Sequence, residues 1–280
     1  MLFSLIVGSV ERTAPLSRLL ASLAAQSERD FEVILVDQNG DERLAPLADI
    51  WSEAGMRLRR IRAARGLSHA RNAGLAVAGG ELVAFPDDDC WYPTTLLATV
   101  AVWFAAHAEL AGLTGRTVAP GGEPTCGRWA PAAAEISRRR VFRQGNSASL
   151  FLRRAAVAAV GGFDEQLGLG ADSPWWAGEE TDYLLRLLEH GFRLQYVPSL
   201  EIFHLPQLLT AAEKVRRSGR GMGRVMRRHH MGVAAATLFC ARPLLGAAWK
   251  GVTAQPAVAR YYLHSFLGRV EGLLGRCLAS

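Results

Sequence analysis

The 280-residue sequence has few cysteines and none of the close cysteine spacings that build disulfide frameworks or structural zinc sites. Its four cysteines, Cys90, Cys126, Cys240 and Cys277, lie far apart and form no CxxC or Cys/His pattern. Dispersed thiols of this kind are typical of a reducing compartment. The first residues, MLFSLIVGSV, lack both a basic region and a small-residue cleavage signal, which argues against a secretory leader. We therefore expect a cytoplasmic protein.

Long hydrophobic runs are also missing. The longest candidate, residues 231–241, is followed at once by Arg242 and Pro243. It is too short for the roughly 20 apolar residues that cross a bilayer, so we expect no membrane-spanning helix. No GxGxxG motif follows the first apolar run, which disfavours a dinucleotide-binding dehydrogenase.

Acidic residues are scarce in the last quarter of the chain. Residues 205–280 contain 12 Lys and Arg against 2 Asp and Glu, a balance of +10. Residues 1–204 contain 20 against 24, a balance of −4. Because the charge divides this sharply, we predict a catalytic domain at residues 1–204. We predict that residues 205–280 form a basic helical extension that binds an anionic surface.

What the sequence does contain is an alternation of strand-like and helix-like segments. The predicted strands cover residues 2–7, 31–36, 58–61, 81–85, 192–197 and 201–204. The predicted helices cover residues 13–23, 68–78, 94–107, 153–160 and 181–190, with Ser68 as the N-cap of the second. Alternation at short intervals predicts an α/β fold with a mostly parallel, doubly wound sheet and flanking helices.

Carboxylates follow two of these strands. Asp37 ends the second strand, and Asp87, Asp88 and Asp89 follow the fourth. Open parallel sheets bind ligands outside the carboxyl ends of their strands. Adjacent carboxylates repel unless a cation lies among them, and Mg²⁺ commonly takes one or two carboxylates plus substrate phosphates. We therefore predict a divalent-metal site here; the alternative is a solvated turn whose aspartates cap the next helix.

A second acidic group begins the helix predicted at residues 181–190. Glu179, Glu180 and Asp182 lie in its first turn. One of these carboxylates could accept a proton from an acceptor hydroxyl as a general base. The alternative is a structural role, because carboxylates in a first turn stabilise the helix dipole.

Three basic side chains complete the candidates. Arg65 and Arg71 flank a helix start, where they could contact a phosphate or a base, or could be ordinary surface arginines. His204 ends the last predicted strand. A lone histidine is more often structural than metal-binding, so its assignment to the metal site is the weaker one.

Four segments, in this order along the chain, resemble the inverting family 2 glycosyltransferases of the GT-A fold. They are SLIVGSVERTAPLSRLLASLAAQ with FEVILVDQNGD, then RGLSHARNAGLAVAGGELVAFPDDDCWYP, GNSASLFLRRAAVAAVGGFDE and GEETDYLLRLLEHGFRLQYVPSLEIFH. Together they span residues 2–204. The resemblance implies a GT-A catalytic domain, to which the helical C-terminal extension is added.

On the donor side, the resemblance implies a nucleotide-sugar bound with Mg²⁺ or Mn²⁺. Asp37 matches the acid that recognises the base, although Gln38 replaces the family's second acid. Asp87 and Asp89 match the DxD pair, with Asp89 the more direct metal ligand, and His204 lies near a histidine that some members aim at the metal. The implied nucleotide-sugar site comprises Asp37, Arg65, Arg71, Asp87 and Asp88.

On the acceptor side, Gly162, Phe163 and Asp164 match the family's GGFDE turn. Glu180 falls where the family's ED pair supplies the catalytic base. The pair reads Glu179-Glu180 here, which leaves the choice of base between Glu180 and Asp182 open.

The implied activity is transfer of one sugar per binding event, since the QxxRW motif of processive synthases is absent. The acceptor is a hydroxyl of a glycan, a lipid-linked molecule or another compound, in cell-surface glycan or glycolipid synthesis. One alternative is a nucleotidyltransferase of similar fold, which would release pyrophosphate. Another is a non-catalytic membrane-surface scaffold, which would show no metal-dependent hydrolysis of a nucleotide-sugar.

The basic extension contains two stripes of four-residue spacing, which predict helices. The first is Arg216, Arg220, Arg224 and Arg228, interrupted by Gly219, Gly221 and Gly223, which weaken an isolated helix. The second is Val258, Tyr262, Phe266, Val270 and Leu274. We predict that residues 213–274 bind an anionic membrane surface on its cytoplasmic side; the alternative is packing against the catalytic domain or another tail. Nucleic acid is not expected, because no aromatics are interleaved with the arginines.

Overall fold

The computed structural model describes residues 1–125, 127, 129–206 and 211–278, so Cys126 lies outside the described residues. The chain forms two compact units. The first contains residues 1–65, 69–163 and 183–207, and the second contains residues 66–68, 164–182 and 208–280. The sequence-based boundary after residue 204 lies near the last of these divisions. Residues 164–182 nevertheless group with the C-terminal extension.

The first unit is built on a mixed β-sheet. Its strands are β1 (Phe3–Ser9), β2 (Phe31–Asp37), β3 (Leu58–Arg62), β4 (Leu82–Ala84), β5 (Cys90–Trp91), β6 (Leu110–Val118), β7 (Ala134–Glu135), β8 (Leu150–Arg153) and β9 (Arg193–His204). The order is β3-β2-β1-β4-β8-β6-β9-β5, and β7 pairs with β9. The β3-β2-β1-β4 segment is parallel, as is β6-β9, whereas β8 runs antiparallel to both its neighbours.

The described helices are α1 (Ala14–Ala24), α2 (Ala45–Glu53), α3 (Leu67–Leu75), α4 (Leu96–Ala106), α5 (Val141–Gln144), α6 (Arg154–Val160), α7 (Glu179–Glu189), α8 (Ala212–Arg228), α9 (Val233–Val252) and α10 (Pro256–Leu274). The predicted α/β architecture with flanking helices is therefore confirmed. The assignment of Ser68 as an N-cap was wrong. Ser68 lies inside α3, and its hydroxyl donates to the carbonyl of Leu167 at 2.7 Å.

Helices cover both faces of the parallel strands. Alternate residues of β1, such as Leu5 and Val7, join a buried cluster with the leucines of α1 and with α4. Ile6 points to the opposite face, where a side chain at Gly74 of α3 would collide with it. Because side chains alternate across a strand, apolar residues on both faces require cover on both sides. This arrangement leaves the carboxyl ends of β1, β2 and β4 at one edge of the sheet.

The last strand is longer than predicted and positions a site residue. The segments predicted as two strands form the single strand β9, whose pairing with β6 shifts register. The shift falls where Gly115 lies against the backbone of Leu200. The end of β9 pairs antiparallel with β5, so that His204 lies opposite Cys90. This pairing brings His204 next to the aspartates that precede β5.

In the second unit, α8 and α10 pack at backbone distance. A Cβ atom on Gly268 would overlap the carbonyl oxygen of Arg216, and one on Gly272 would overlap that of Arg220. These α10 glycines therefore permit close packing on α8 within this unit. Among the described helices, none is long and apolar enough to cross a membrane.

Candidate functional site

The acidic run lies at the carboxyl edge of the sheet, where the chain passes from β4 into β5. The Nε2 atom of His204 is 3.3 Å from Oδ1 of Asp89. Desolvation raises the pKa of Asp89, but the hydrogen bond from His204 and the charge of Arg12 outweigh it. The net pKa lies below the ordinary value. Asp89 is therefore held as a carboxylate.

The position of His204 would allow it to act as a metal ligand. Its Nδ1 lies 2.6 Å from the carbonyl oxygen of Leu205, which can only accept a hydrogen bond. With Nδ1 as that donor, Nε2 donates to Asp89 only while both ring nitrogens carry a proton; in the neutral ring Nε2 presents a lone pair, and a cation between Nε2 and Asp89 would take the place of that proton. No cluster of three or more His, Cys, Asp and Glu side chains suited to a metal occurs among the described residues. Asp89 and His204 could hold a divalent cation if a substrate phosphate and water supplied its other ligands.

Arg12 faces the second and third aspartates of the acidic run and was not anticipated from the sequence. Its Nη1 lies 2.9 Å from Asp88 and 2.5 Å from Asp89. Asp88 also accepts a hydrogen bond from Ser9 at 2.7 Å, and desolvation raises its pKa despite that bond and Arg12. Asp88 thus faces inward. The loop after β1 could have drawn attention to Arg12, because it leaves the same sheet edge as the loop after β4.

Asp87, the first residue of the acidic run, lies near a different cation from Asp88 and Asp89. Its Oδ1 is 3.7 Å from Nη2 of Arg71, which is 2% exposed. The Arg71 guanidinium lies over the Phe163 ring at 5.1 Å. Arg71 is thus a buried cation at the edge of the acidic run, and its interpretation as a surface arginine was wrong.

Asp37 ends β2 and is fully buried. Its Oδ1 accepts hydrogen bonds from the backbone and side chain of Asn39, at 2.9 and 2.8 Å, and its Oδ2 lies 3.3 Å from Arg60. Arg65 is exposed and pairs with Glu11 at 2.7 Å. Asp37 therefore lies at the carboxyl end of β2 and Arg65 in the loop after β3, and the contacts of these two residues with a nucleotide stay predictions.

Within the first unit, the Gly162 and Phe163 part of the GGFDE turn is held by α3 and α7. Asn72 of α3 accepts from the Phe163 backbone N–H at 2.7 Å and donates to its carbonyl at 3.0 Å. A side chain at Gly162 would collide with Asn72. Phe163 stacks on Tyr183 of α7, with ring centroids 4.2 Å apart. The motif therefore sets the path of the backbone beside Arg71.

In the second unit, the first turn of α7 carries the predicted base. Asp182 is fully buried, with its Oδ1 2.9 Å from Nε2 of His229 and 3.5 Å from Arg228. Glu179 is 5% exposed, whereas Glu180 is partly exposed. Asp164 of the GGFDE motif pairs with Arg228. His229 was not anticipated, since its partner is distant in sequence.

The segment before this turn is held by α8. The guanidinium of Arg217 lies 4.3 Å from the Trp176 ring, and that of Arg224 lies 5.7 Å from the Trp175 ring. A side chain at Gly221 would overlap the backbone of Ala177. Helix α8 therefore packs directly against the residues that lead into Glu179 and Glu180.

The arginine stripe of α8 is used inside the second unit. Arg216 and Arg220 both pair with Glu271 of α10, which is fully buried. Arg216 is itself only 7% exposed. The prediction that these two arginines face anionic lipid was wrong, because a buried carboxylate requires paired cations beside it.

Comparisons with known proteins identify the family to which this chain belongs. The family model "Glycosyl transferase family 2" matches residues 4–149. An uncharacterized glycosyltransferase of Nostoc sp. is 35% identical over 106 residues, which are 37% of this chain and 33% of that protein. A PGL/p-HBAD biosynthesis glycosyltransferase of Mycobacterium tuberculosis is 28% identical over 174 residues, 61% of this chain and 66% of that one. The matches thus span a third of the length of the Nostoc protein and just under two thirds of the length of the M. tuberculosis protein.

Solved structures show the same fold at low sequence identity. The mannosyltransferase PcManGT from Pyrobaculum calidifontis, in complex with GDP-Man and Mn²⁺, has a TM-score of 0.67 and 16% identity. The match covers 98% of this chain and 87% of that one. S. aureus TarS has a TM-score of 0.63 and 17% identity, with 97% and 55% covered. The GT-A fold predicted by resemblance is confirmed, and the chain belongs to glycosyl transferase family 2.

Proposed function

We propose that this chain transfers one sugar from a nucleoside-diphosphate sugar to a hydroxyl acceptor, with a divalent cation and with inversion at the anomeric carbon. The observation that carries the proposal is the pairing of Asp89 with His204 at the carboxyl edge of the sheet, in a member of this family. This pair is suited to hold a cation against a diphosphate.

The charges around the acidic run support an anionic donor. Arg12 and Arg71 lie beside the three aspartates, where they can contact phosphate oxygens. Two structural neighbours were solved with GDP-Man and with UDP-GlcNAc, which are nucleoside-diphosphate sugars. A bound Mg²⁺ or Mn²⁺ would offset the charge that develops on the departing diphosphate.

We assign the general base to Glu180. Asp182 is engaged by His229 and Arg228 and is fully buried, whereas Glu180 is partly exposed. In the proposed reaction, Glu180 accepts the proton of the acceptor hydroxyl while the oxygen of that hydroxyl bonds to the anomeric carbon. The bond from that carbon to the diphosphate breaks, and the nucleoside diphosphate leaves. The acceptor contacts of Gly162, Phe163 and Asp164 belong to the same proposal.

The test is a panel of nucleotide-sugars, screened with Mg²⁺ or Mn²⁺ for thermal stabilisation and for release of nucleoside diphosphate. One donor should raise the melting temperature and be hydrolysed or transferred only with metal. Asp89→Asn should lose both effects, while Asp30→Asn, at the opposite edge of the sheet, should keep them. Pyrophosphate release from a nucleoside triphosphate and a sugar phosphate would contradict the proposal in favour of a nucleotidyltransferase.

A further inference from the structure

Helix α9 presents an apolar face to solvent. Large side chains at helical spacing on this face are Leu238 at 55% exposure, Leu245 at 69%, Trp249 at 66% and Val252 at 84%. Positions related by i, i+7, i+11 and i+14 lie on one side of a helix, so these four form one stripe, with Arg242 at the i+4 position within it. We name it the α9 apolar face; Leu244 lies beside it and is 44% exposed.

The other side of α9 is packed against α10. Arg269 donates to the carbonyl oxygen of Phe239 at 2.6 Å and lies over its ring at 4.1 Å. Pro243 is buried, and a side chain at Gly246 would press on the Tyr262 ring. Helix α9 is thus fixed by its inner side, which leaves the apolar face free for a partner outside the described residues.

The charge around this face identifies that partner. Helix α9 contains Arg242 and Lys250 and no acidic residue, and the next acid along the chain is Glu271. Glu271 is buried between Arg216 and Arg220. Arg242 lies on the α9 apolar face, and Lys250 is next to Trp249. A second copy of this chain would bring together two faces that each carry Arg242 and Lys250 and no acid, whereas anionic lipid headgroups would neutralise these cations.

We propose that the α9 apolar face binds the interface of an anionic bilayer, with α9 lying along the membrane surface. Leucine, valine and tryptophan side chains enter the boundary between headgroups and acyl chains, while Arg242 and Lys250 contact lipid phosphates. This proposal retains the expected membrane partner but moves the contact from the α8 arginines to α9. It does not depend on the proposed sugar transfer, because binding is measured without donor or acceptor.

The test is co-sedimentation of the full chain with vesicles of phosphatidylcholine, with and without phosphatidylglycerol. The chain should sediment with the anionic vesicles, and added salt should weaken binding. The double variant Leu245→Ser/Trp249→Ser should reduce binding at least tenfold. Its melting temperature should stay unchanged, because both side chains are exposed. The matched control is Ile50→Ser, which alters a 60% exposed apolar residue of α2 and should bind normally.

Two further measurements separate the contribution of the cationic side chains from that of the apolar ones, and membrane binding from self-association. Arg242→Gln/Lys250→Gln should weaken binding to anionic vesicles and leave any weak binding to neutral ones unchanged. Equal binding of the parent and the Leu245→Ser/Trp249→Ser variant would overturn the proposal. So would a parent dimer in light scattering that this variant converts to a monomer without any vesicle binding at all, because the face would then be an interface between copies.

Discussion

The Nε2 atom of His229 lies 2.9 Å from Oδ1 of Asp182, and both side chains are buried. His229 follows α8 directly, and Asp182 lies two residues after Glu180 in the first turn of α7. The C-terminal extension therefore contributes to the structure of the turn that carries the proposed base.

Replacing His229 by Ala should disturb that turn. Asp182 would lose a buried hydrogen-bond partner, which costs about 1–3 kcal/mol of stability. A displaced Glu180 should lower kcat by about ten- to a hundredfold with little change in donor KM. Steady-state kinetics and urea unfolding test this. His230→Asn is the control, because His230 is exposed and its positive φ suits asparagine. Equal kcat in both variants would show that His229 does not position the base.

Glu180→Gln should lower kcat by at least about a hundredfold, because a general base contributes a factor of this size. Donor affinity, measured by calorimetry, should change little. Asp172→Asn, at an exposed acid of the same unit, should retain activity. Wild-type turnover in the Glu180 variant would exclude it as the base.

His204→Ala should weaken Mn²⁺ binding at least about tenfold, since it removes a proposed ligand of Asp89's cation. Electron paramagnetic resonance titration in the presence of nucleoside diphosphate measures the free ion. His190→Ala, at the exposed end of α7, is the control. Unchanged Mn²⁺ affinity in the His204 variant would show that His204 is not a ligand of the cation bound by Asp89.

Gly268→Ala should destabilise the second unit by about 1–3 kcal/mol, because the added methyl group overlaps the Arg216 carbonyl. Gly251→Ala on α9 should instead stabilise the chain by about 0.5–1 kcal/mol, since no atom lies within 4 Å of the new methyl group. Denaturant unfolding compares the two. Similar effects of both substitutions would contradict the close packing of α8 on α10.

Glu271 should make stability depend on pH. Desolvation raises its pKa, but Arg216 and Arg220 outweigh this and lower the pKa below its ordinary 4.5. Because the pKa of Glu271 is lower in the folded chain than in the unfolded chain, its carboxylate adds to the free energy of unfolding above about pH 4.5. That contribution is lost as the pH falls through the pKa of the folded chain. Glu271→Gln should therefore cost about 3–5 kcal/mol at neutral pH, and its difference from the parent should shrink in acid. A difference that stays constant down to low pH would exclude the predicted linkage.

Much of the fold followed from local patterns. The apolar runs of β1, β2 and β4 and the helical spacing of α1 and α4 were recognisable because burial imposes a period on the sequence. Strand β6 and the short β5 were missed, since neither shows a strong period of its own. Their place in the sheet depends on pairing with β8 and β9.

The sequence by itself determined the family, the acidic run after β4 and the carboxylates that begin α7, because each is a local motif with a defined chemistry. Only the tertiary structure decided which side chains meet. The β5–β9 pairing brings His204 to Asp89, and the α8–α10 packing brings Arg216 and Arg220 of the arginine stripe to Glu271. Helical spacing fixes which residues share a face, but what lies opposite that face depends on contacts between segments distant in sequence.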